Sequence, residues 1–273
     1  VTTIHTGHGP GNLVSGQTMI AKTWGETVDE SVLVPASAVA ATLGPSASES
    51  GKAPGTRAKA VAMLRAKLIS AQEYLADLED GEEGNEPPRN LEMEAFVRIL
   101  RKEAPLLLTV HRTHDILTAL RVAREFDIDL ILDGCSEAYL VLEEIRESGF
   151  PIILHPTMMR SFGEKENLSM ETASRLRQAG IEFAFQSGFE GYVPKTRVLL
   201  FEAAMAAANG LSFDEALAAA TIDAARILGL EDRLGSLEPG KDADLVLFSG
   251  DPFEYTTHVE GVFINGRKVS DGD

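Results

Sequence analysis

From Pro105 onward the sequence repeats one unit, and that repeat limits the possible folds more than any other feature of the chain. The apolar run "LLLTV" leads into the amphipathic stretch "DILTALRVAREF", and "IDLIL" leads into "EAYLVLEEIRES". "FPIIL" runs through a longer loop into "SMETASRLRQAG", and "IEFAF" through a further loop into "TRVLLFEAAMAAANG". The short runs hardly alternate in polarity, as expected of strands buried on both faces of a parallel sheet. The stretches between them carry apolar stripes at helical spacing, such as Ile116, Leu120 and Ala123. Four successive strand–helix units predict an α/β fold, either a doubly wound sheet or a (β/α)8 barrel. At 273 residues and 44% hydrophobic content the chain can bury one large core and carry a small appendage.

Before the repeat, the pattern from Thr2 reads as a strand, a turn and a loop-rich stretch through Gly55. "RAKAVAMLRAKLISAQEYLADL" then places Leu64, Leu68, Ala71, Leu75 and Leu78 on one face of a long helix. It ends in "EDGEEGNEPPRN", an acidic loop expected to be exposed and mobile. After the repeat come two short helices. "SFDEAL" has Ser212 and Glu215 at capping-box spacing, and "TIDAARILG" closes on Gly229 as a C-terminal cap. A strand at Ala243–Phe248 follows, then "VEGVFINGRKV", where Asn265-Gly266 marks a tight hairpin. The division expected is a barrel over 1–235 and appended strands over 236–273.

The net charge of −17, from 42 acidic against 25 basic residues, argues against nucleic acid or an anionic membrane as partner, because Lys and Arg would have to neutralise phosphates. The single cysteine, Cys135, excludes an internal disulfide and a multi-cysteine metal site, and reads as a buried structural thiol. No apolar run is long enough to span a membrane, and the N-terminus lacks the basic-then-apolar layout of a signal peptide. A cytoplasmic location is expected. "VTTIHTGHGP" opens directly inside a strand without an initiator Met, as though a segment preceded it.

The segments "LGSLEPGKDADLVLFSGDPFE" and "VEGVFINGRKV", with "ALAAATIDAARILGL" before them, resemble the C-terminal end of the metal-dependent amidohydrolase superfamily, in the branch related to imidazolonepropionase and Xaa-Pro dipeptidase. The likeness extends through "DILTALRVAREF" and "GKAPGTRAKAVAMLRAKLISAQEYL", and so over most of the chain. It implies a (β/α)8 TIM-like barrel lacking its first strand here, with a C-terminal β-sandwich segment whose partner strands come from the other chain end. It also implies hydrolysis of carbon–nitrogen bonds in a small-molecule amide, linear or cyclic, by water activated on a divalent metal, zinc.

Carried over position by position, the resemblance implies a degenerate metal site. The family's His-x-His pair on the first barrel strand precedes the part seen here. His5 and His8, spaced i, i+3, come too late to be that pair and read as loop or strand-end polar residues. On the fifth barrel strand, "LTVHRTHDI" places Thr109 and His111 at the two family histidines, so His111 is the metal-ligand candidate, with His114 a helix-start residue. Gly134 stands where the sixth strand carries a histidine, and Gly188 where the eighth carries the aspartate that is both ligand and base. Glycine supplies neither ligand nor proton acceptor. His155 and Arg160, in "ILHPTMMR", are candidate substrate-binding residues, Glu137 reads as a first-turn helix acid and His258 as surface. Metal is therefore expected to be absent or partial. Two functions remain open: an amide hydrolase, or an inactive binding or scaffolding subunit that associates with itself or with an active paralogue. Substrate choice would rest on long loops such as "PASAVAATLGPSASESGKAPG".

Overall fold

A computed structural model of the chain describes residues 1–9, 11–47, 54–80, 87–158, 162–188 and 198–272. Seven strands form one curved sheet: β1 (Thr3–Thr6), β2 (Val14–Lys22), β3 (Val32–Thr42), β4 (Leu106–Val110), β5 (Leu130–Gly134), β6 (Ile152–Leu154) and β7 (Phe183–Phe185), in that spatial order. β2 runs antiparallel to both β1 and β3, while β3 to β7 are parallel throughout. The order is linear, with β1 and β7 at the two ends, so among the described residues the sheet is an open partial barrel and not a closed eight-stranded one. It is nonetheless curled, because residues of β1 and β7 line one common cavity.

Helices cover the outer face. α1 (Val28–Ser31) is a single turn between β2 and β3, and α2 (Arg57–Asp80) and α3 (Leu91–Leu100) fill the crossover to β4. α4 (Thr113–Phe126), α5 (Leu142–Ser148), α6 (Thr172–Gln178) and α7 (Leu199–Ala208) follow successive strands, and α8 (Phe213–Ala219) and α9 (Ile222–Ile227) close the series. The two-residue period of a strand explains the layering. Leu106, Leu108, Leu130 and Leu132 point outward into the main core with Leu64, Leu68, Phe96 and Ile116, whereas Leu107 and Ile131 pack inward with Ala38 and Ala40. Each buried leucine contributes about 1.5–3 kcal/mol relative to exposure, so the helix-facing layer is the main source of cohesion. The same inward register, continued to the strand ends, aims Thr109 and Asp133 into the interior.

The stretch expected to be loop-rich contains β2 and β3, and the first part of "PASAVAATLGPSASESGKAPG" is strand, with 48–53 outside the described residues. Pro35 hid β3 from the sequence pattern. It sits where the register shifts, Thr18 pairing Ala38 but Ile20 pairing Val34, so the missing N–H falls in a bulge. α3 was not foreseen either. Asn90 caps it by accepting from Glu92 N and Met93 N, and Met93, Phe96 and Val97 form its buried face. The acidic loop before it lies partly outside the described residues, which omit 81–86. "EAYLVLEEIRES" is broken into a 3-10 turn at Ala138–Leu140 and α5. Leu75 and Leu78 of α2 are only half-buried, because the buried face ends at Ala71.

The last strands, β8 (Leu245–Phe248), β9 (Val259–Ile264) and β10 (Arg267–Ser270), form a separate antiparallel sheet of order β10-β9-β8. Asn265 and Gly266 turn the β9–β10 hairpin with φ of 50° and 75°, both left-handed as a two-residue turn of this type requires. β8, expected to depend on strands from elsewhere, pairs with β9. Among the described residues the three strands make a single sheet and not a sandwich. A buried ion cluster holds it to the barrel: Lys22 Nζ, at the end of β2, lies 2.7 Å from Asp244 Oδ2 and 3.0 Å from Asp242 Oδ2. Arg267 stacks on Trp24, 4.8 Å from the ring centroid.

Candidate functional site

The carboxyl ends of the parallel strands share a cavity of about 700 Å³, whose wall includes His111 after β4, Asp133 on β5, His155 after β6, and Gln186 and Gly188 after β7. Parallel strands bring their carboxyl ends to one mouth, so residues far apart in sequence converge there. β1 adds His5, and the turn after it adds His8. Both are among the residues that line the cavity.

Asp133 is the polar centre of the wall. Its Oδ2 accepts from Thr109 Oγ1 at 2.5 Å and lies 3.3 Å from His8 Nε2, while Oδ1 accepts from the Gln186 amide. His8 Nε2 is also 2.7 Å from Thr109 Oγ1. Burial alone would raise the carboxyl's pKa, but the His8 and Thr109 hydrogen bonds and the nearby imidazoles outweigh it and hold Asp133 below its ordinary range. Asp133 is thus an anion already occupied by three donors.

His5 and His111 behave oppositely. Burial pushes His5 down to about 4 against the attraction of Asp133, and His8 adds to the shift. Burial likewise pushes His111 down to about 4, helped by Lys165 and Arg112 and opposed by Asp133. Both rings are neutral at pH 7. His5 Nε2 meets Thr18 Oγ1 at 2.8 Å, and His111 Nδ1 meets Ser136 Oγ at 2.9 Å. His114 is exposed beside Asp115, and His258 is on the surface, as the sequence suggested. Cys135 is fully buried and its thiol is pushed up by burial. Arg160 lies outside the described residues.

Glu137 does not act on its own helix. Its carboxylate accepts from Thr113 N at 2.7 Å, Thr113 Oγ1 at 2.9 Å, Arg112 Nη1 at 2.9 Å and Asn167 Nδ2 at 2.8 Å, and so caps the first turn of α4 from the neighbouring loop after β5. Burial would raise its pKa, but these donors bring it down to about 2.

The two glycines at the expected ligand positions are now explained locally. Gly134 has φ of +85°, and a Cβ built there would lie 2.6 Å from His111 Cε1. Gly188 has φ of +75°, and its Cβ would lie 2.5 Å from both Cε1 and Nε2 of His155. Imidazole rings occupy the volumes where side chains at 134 and 188 would begin. Asp133 is engaged by three donors, residue 188 carries no carboxylate, and among the described residues no three His, Cys, Asp or Glu side chains group so as to hold an ion.

Glu202 on α7 escaped sequence reasoning. It is fully buried, and its Oε1 faces His155 Nδ1 at 3.6 Å. A lone acid in the otherwise apolar "LLFEAAMAAA" was the available signal.

Residues 163–269 match the sequence profile of the Amidohydrolase family. The crystal structure of an amidohydrolase from Thermotoga maritima MSB8 superimposes with a TM-score of 0.93 at 32% identity, covering 99% of this chain and 72% of that one. The imidazolonepropionase of Picrophilus torridus is 42% identical over 67 residues, 22% of this chain and 17% of that protein. The 5-methylthioadenosine/S-adenosylhomocysteine deaminase of Symbiobacterium thermophilum is 60% identical over 37 residues, 14% of this chain and 8% of that protein. The matched stretches thus span less than a fifth of these two curated relatives.

Proposed function

The chain belongs to the metal-dependent amidohydrolase superfamily, and we propose that its cavity binds a small amide-type molecule without performing the metal-assisted cleavage of carbon–nitrogen bonds associated with that family. The observation that carries this reading is the pair of glycine–histidine contacts. With a ring edge 2.5 Å from the Cβ position of residue 188, a carboxylate ligand and base could be seated there only if His155 left its place. The same exclusion holds at Gly134 against His111.

What remains suits recognition. An amide presents a carbonyl acceptor and N–H donors on a compact frame. The wall offers neutral His5 and His111, the Gln186 side chain and His8 as polar groups, against apolar Leu107, Ile153 and Phe185. A few convergent polar groups on an apolar wall are the usual make-up of a small-molecule site.

The second reading is a hydrolase. It is favoured by four histidines and Asp133 at one barrel mouth, and by relatives named as an imidazolonepropionase and a deaminase. Metal analysis of protein purified without added zinc, together with hydrolysis assays on a panel of linear and cyclic amides, separates the two. Binding of amides with well under one equivalent of metal and no turnover supports the first. Stoichiometric zinc, lost together with turnover in His111→Ala, establishes the second.

A further inference from the structure

The cavity wall changes character along its own strands. At the carboxyl ends it is polar, with Thr109, His155 and Gln186. Two residues earlier in each case, Leu107, Ile153 and Ala184 line the same cavity. Residues i and i+2 share one face of a strand and stand roughly 6–7 Å apart along it, so these apolar side chains lie about that much further from the mouth. Thr3, two residues before His5, is polar, but its hydroxyl reaches away to Asp244 Oδ2 at 3.4 Å. Ile4 of β1 and Ala224 and Ile227 of α9 extend the apolar lining. This deeper layer rests on the inner cluster of Ala38, Ala40, Leu107 and Ile131, against which Ile153 and Ile227 pack. Both isoleucines nonetheless stay only half-buried, so part of their apolar surface is left to the cavity.

We propose that the ligand of this cavity is an amphipathic amide, whose polar head sits among the strand-end groups and whose aliphatic tail runs inward along Ile153 and Ile227 to α9. The inference rests on the reading of the cavity as an amide site and adds the part of the ligand which that reading leaves open. A cavity of about 700 Å³ falls in the range that takes drug-sized ligands, about 300–1,000 Å³, and a bare amide of a few atoms would touch only its polar end. Half-buried apolar surface gains free energy when an apolar group covers it. In a closed barrel the layer below the strand ends is filled by side chains from every strand, and a tail would find no room. Here the sheet is open between β1 and β7 among the described residues, and the cavity reaches that layer. Isoleucine and alanine at this depth offer no ring to stack on, which suits an alkyl chain.

The test is a chain-length series of primary amides, butyramide, hexanamide and octanamide, with 1-octanol as a tail without an amide. Each is titrated against the full chain and followed by amide ¹H–¹⁵N chemical shifts. Wild-type affinity should rise about two- to four-fold per methylene, as expected when each added group leaves water for an apolar wall. Ile227→Ser makes that wall polar and Ala224→Leu fills it, so each should cut the ratio of octanamide to butyramide affinity at least several-fold. No rise with chain length in wild type overturns the proposal by itself, even if the variants fail to fold. A rise that survives unchanged in both folded variants overturns it as well. Butyramide binding without any gain from longer chains leaves the amide reading standing and removes the tail. Octanol binding as tightly as octanamide, with the same loss in the variants, keeps the tail site and removes the amide head. Binding of none of the four overturns both.

Discussion

If the His111 ring occupies the space that a side chain at 134 would need, adding one methyl group at Gly134 should be costly, and the cost should depend on the ring. Gly134 has φ of +85°, where an L-residue is disfavoured by about 1–2 kcal/mol, and that part is intrinsic to the backbone. The new Cβ would also lie 2.6 Å from His111 Cε1, 3.0 Å from Nδ1 and 3.2 Å from Nε2. The ring is buried and tied to Ser136, so it cannot swing away freely, and overpacking of this kind adds about 1–3 kcal/mol. Gly134→Ala is therefore expected to lose about 2–5 kcal/mol in urea unfolding followed by circular dichroism. In an His111→Ala background only the backbone part should remain, about 1–2 kcal/mol. The coupling energy between the two sites should then be about 1–3 kcal/mol, within the range of residues in contact. Additive losses would refute the reasoning, and would mean that the glycine is required by its dihedral angle alone.

The remaining expectations concern charge and attachment. His5 and His111 titrate near 4 in the folded state against about 6.5 unfolded, so the unfolded chain binds more protons between those values. Stability should be full above pH 6.5 and fall as pH drops toward 4, by up to about 3 kcal/mol per histidine, and a flat urea midpoint from pH 7 to 4.5 would contradict this. Glu137→Gln should cost about 1.5–3 kcal/mol at pH 7, because the folded carboxylate titrates near 2. That difference should fade below pH 4, where the unfolded carboxylate is protonated, and finally vanish as the folded group itself titrates. Lys22→Met should leave Asp244 without its cation, while Asp242 keeps Arg233, and is expected to raise proteolysis within 236–273 several-fold while the barrel stays folded. β8 is an edge among the described residues, and edges of this kind recruit partners, so light scattering should find a homo-oligomer or a complex with a paralogue; a clean monomer would count against association.

The repeat was legible because strands buried on both faces leave apolar runs: β4 and β5 kept their positions within two residues of the sequence reading. The convergence of His111, Asp133, His155 and Gln186 followed from the parallel order, since strands that run the same way must open at the same end. β2 and β3 were not legible. "VSGQTMIAK" holds a glycine among polar residues, and "VLVPASAVAAT" holds a proline and four alanines, all weak strand formers. Their extended state comes from pairing with each other and of β3 with β4. Local propensity carries no trace of such partners. His8 reaches Asp133, and Glu202 reaches His155, across separations that only the assembled barrel closes.

At Gly134 and Gly188 the sequence and the structure give complementary halves of one argument. Read alone, each glycine is a lost functional group, and His111 and His155 are isolated candidates after β4 and β6, with β5 between them. In the folded chain each histidine ring stands over a glycine, at 2.6 Å and 2.5 Å from the missing Cβ, and each glycine has the positive φ that other residues avoid. The ring and the absent side chain exclude one another, so the glycine and the histidine are a single structural choice made twice. Restoring a carboxylate at 188 while keeping His155 therefore should not regenerate a metal site. Gly188→Asp is expected to bind no zinc in equilibrium dialysis unless His155 is also reduced to alanine. Tight zinc binding by the single variant would show that the ring yields easily and that the mouth remains open to the chemistry of the family.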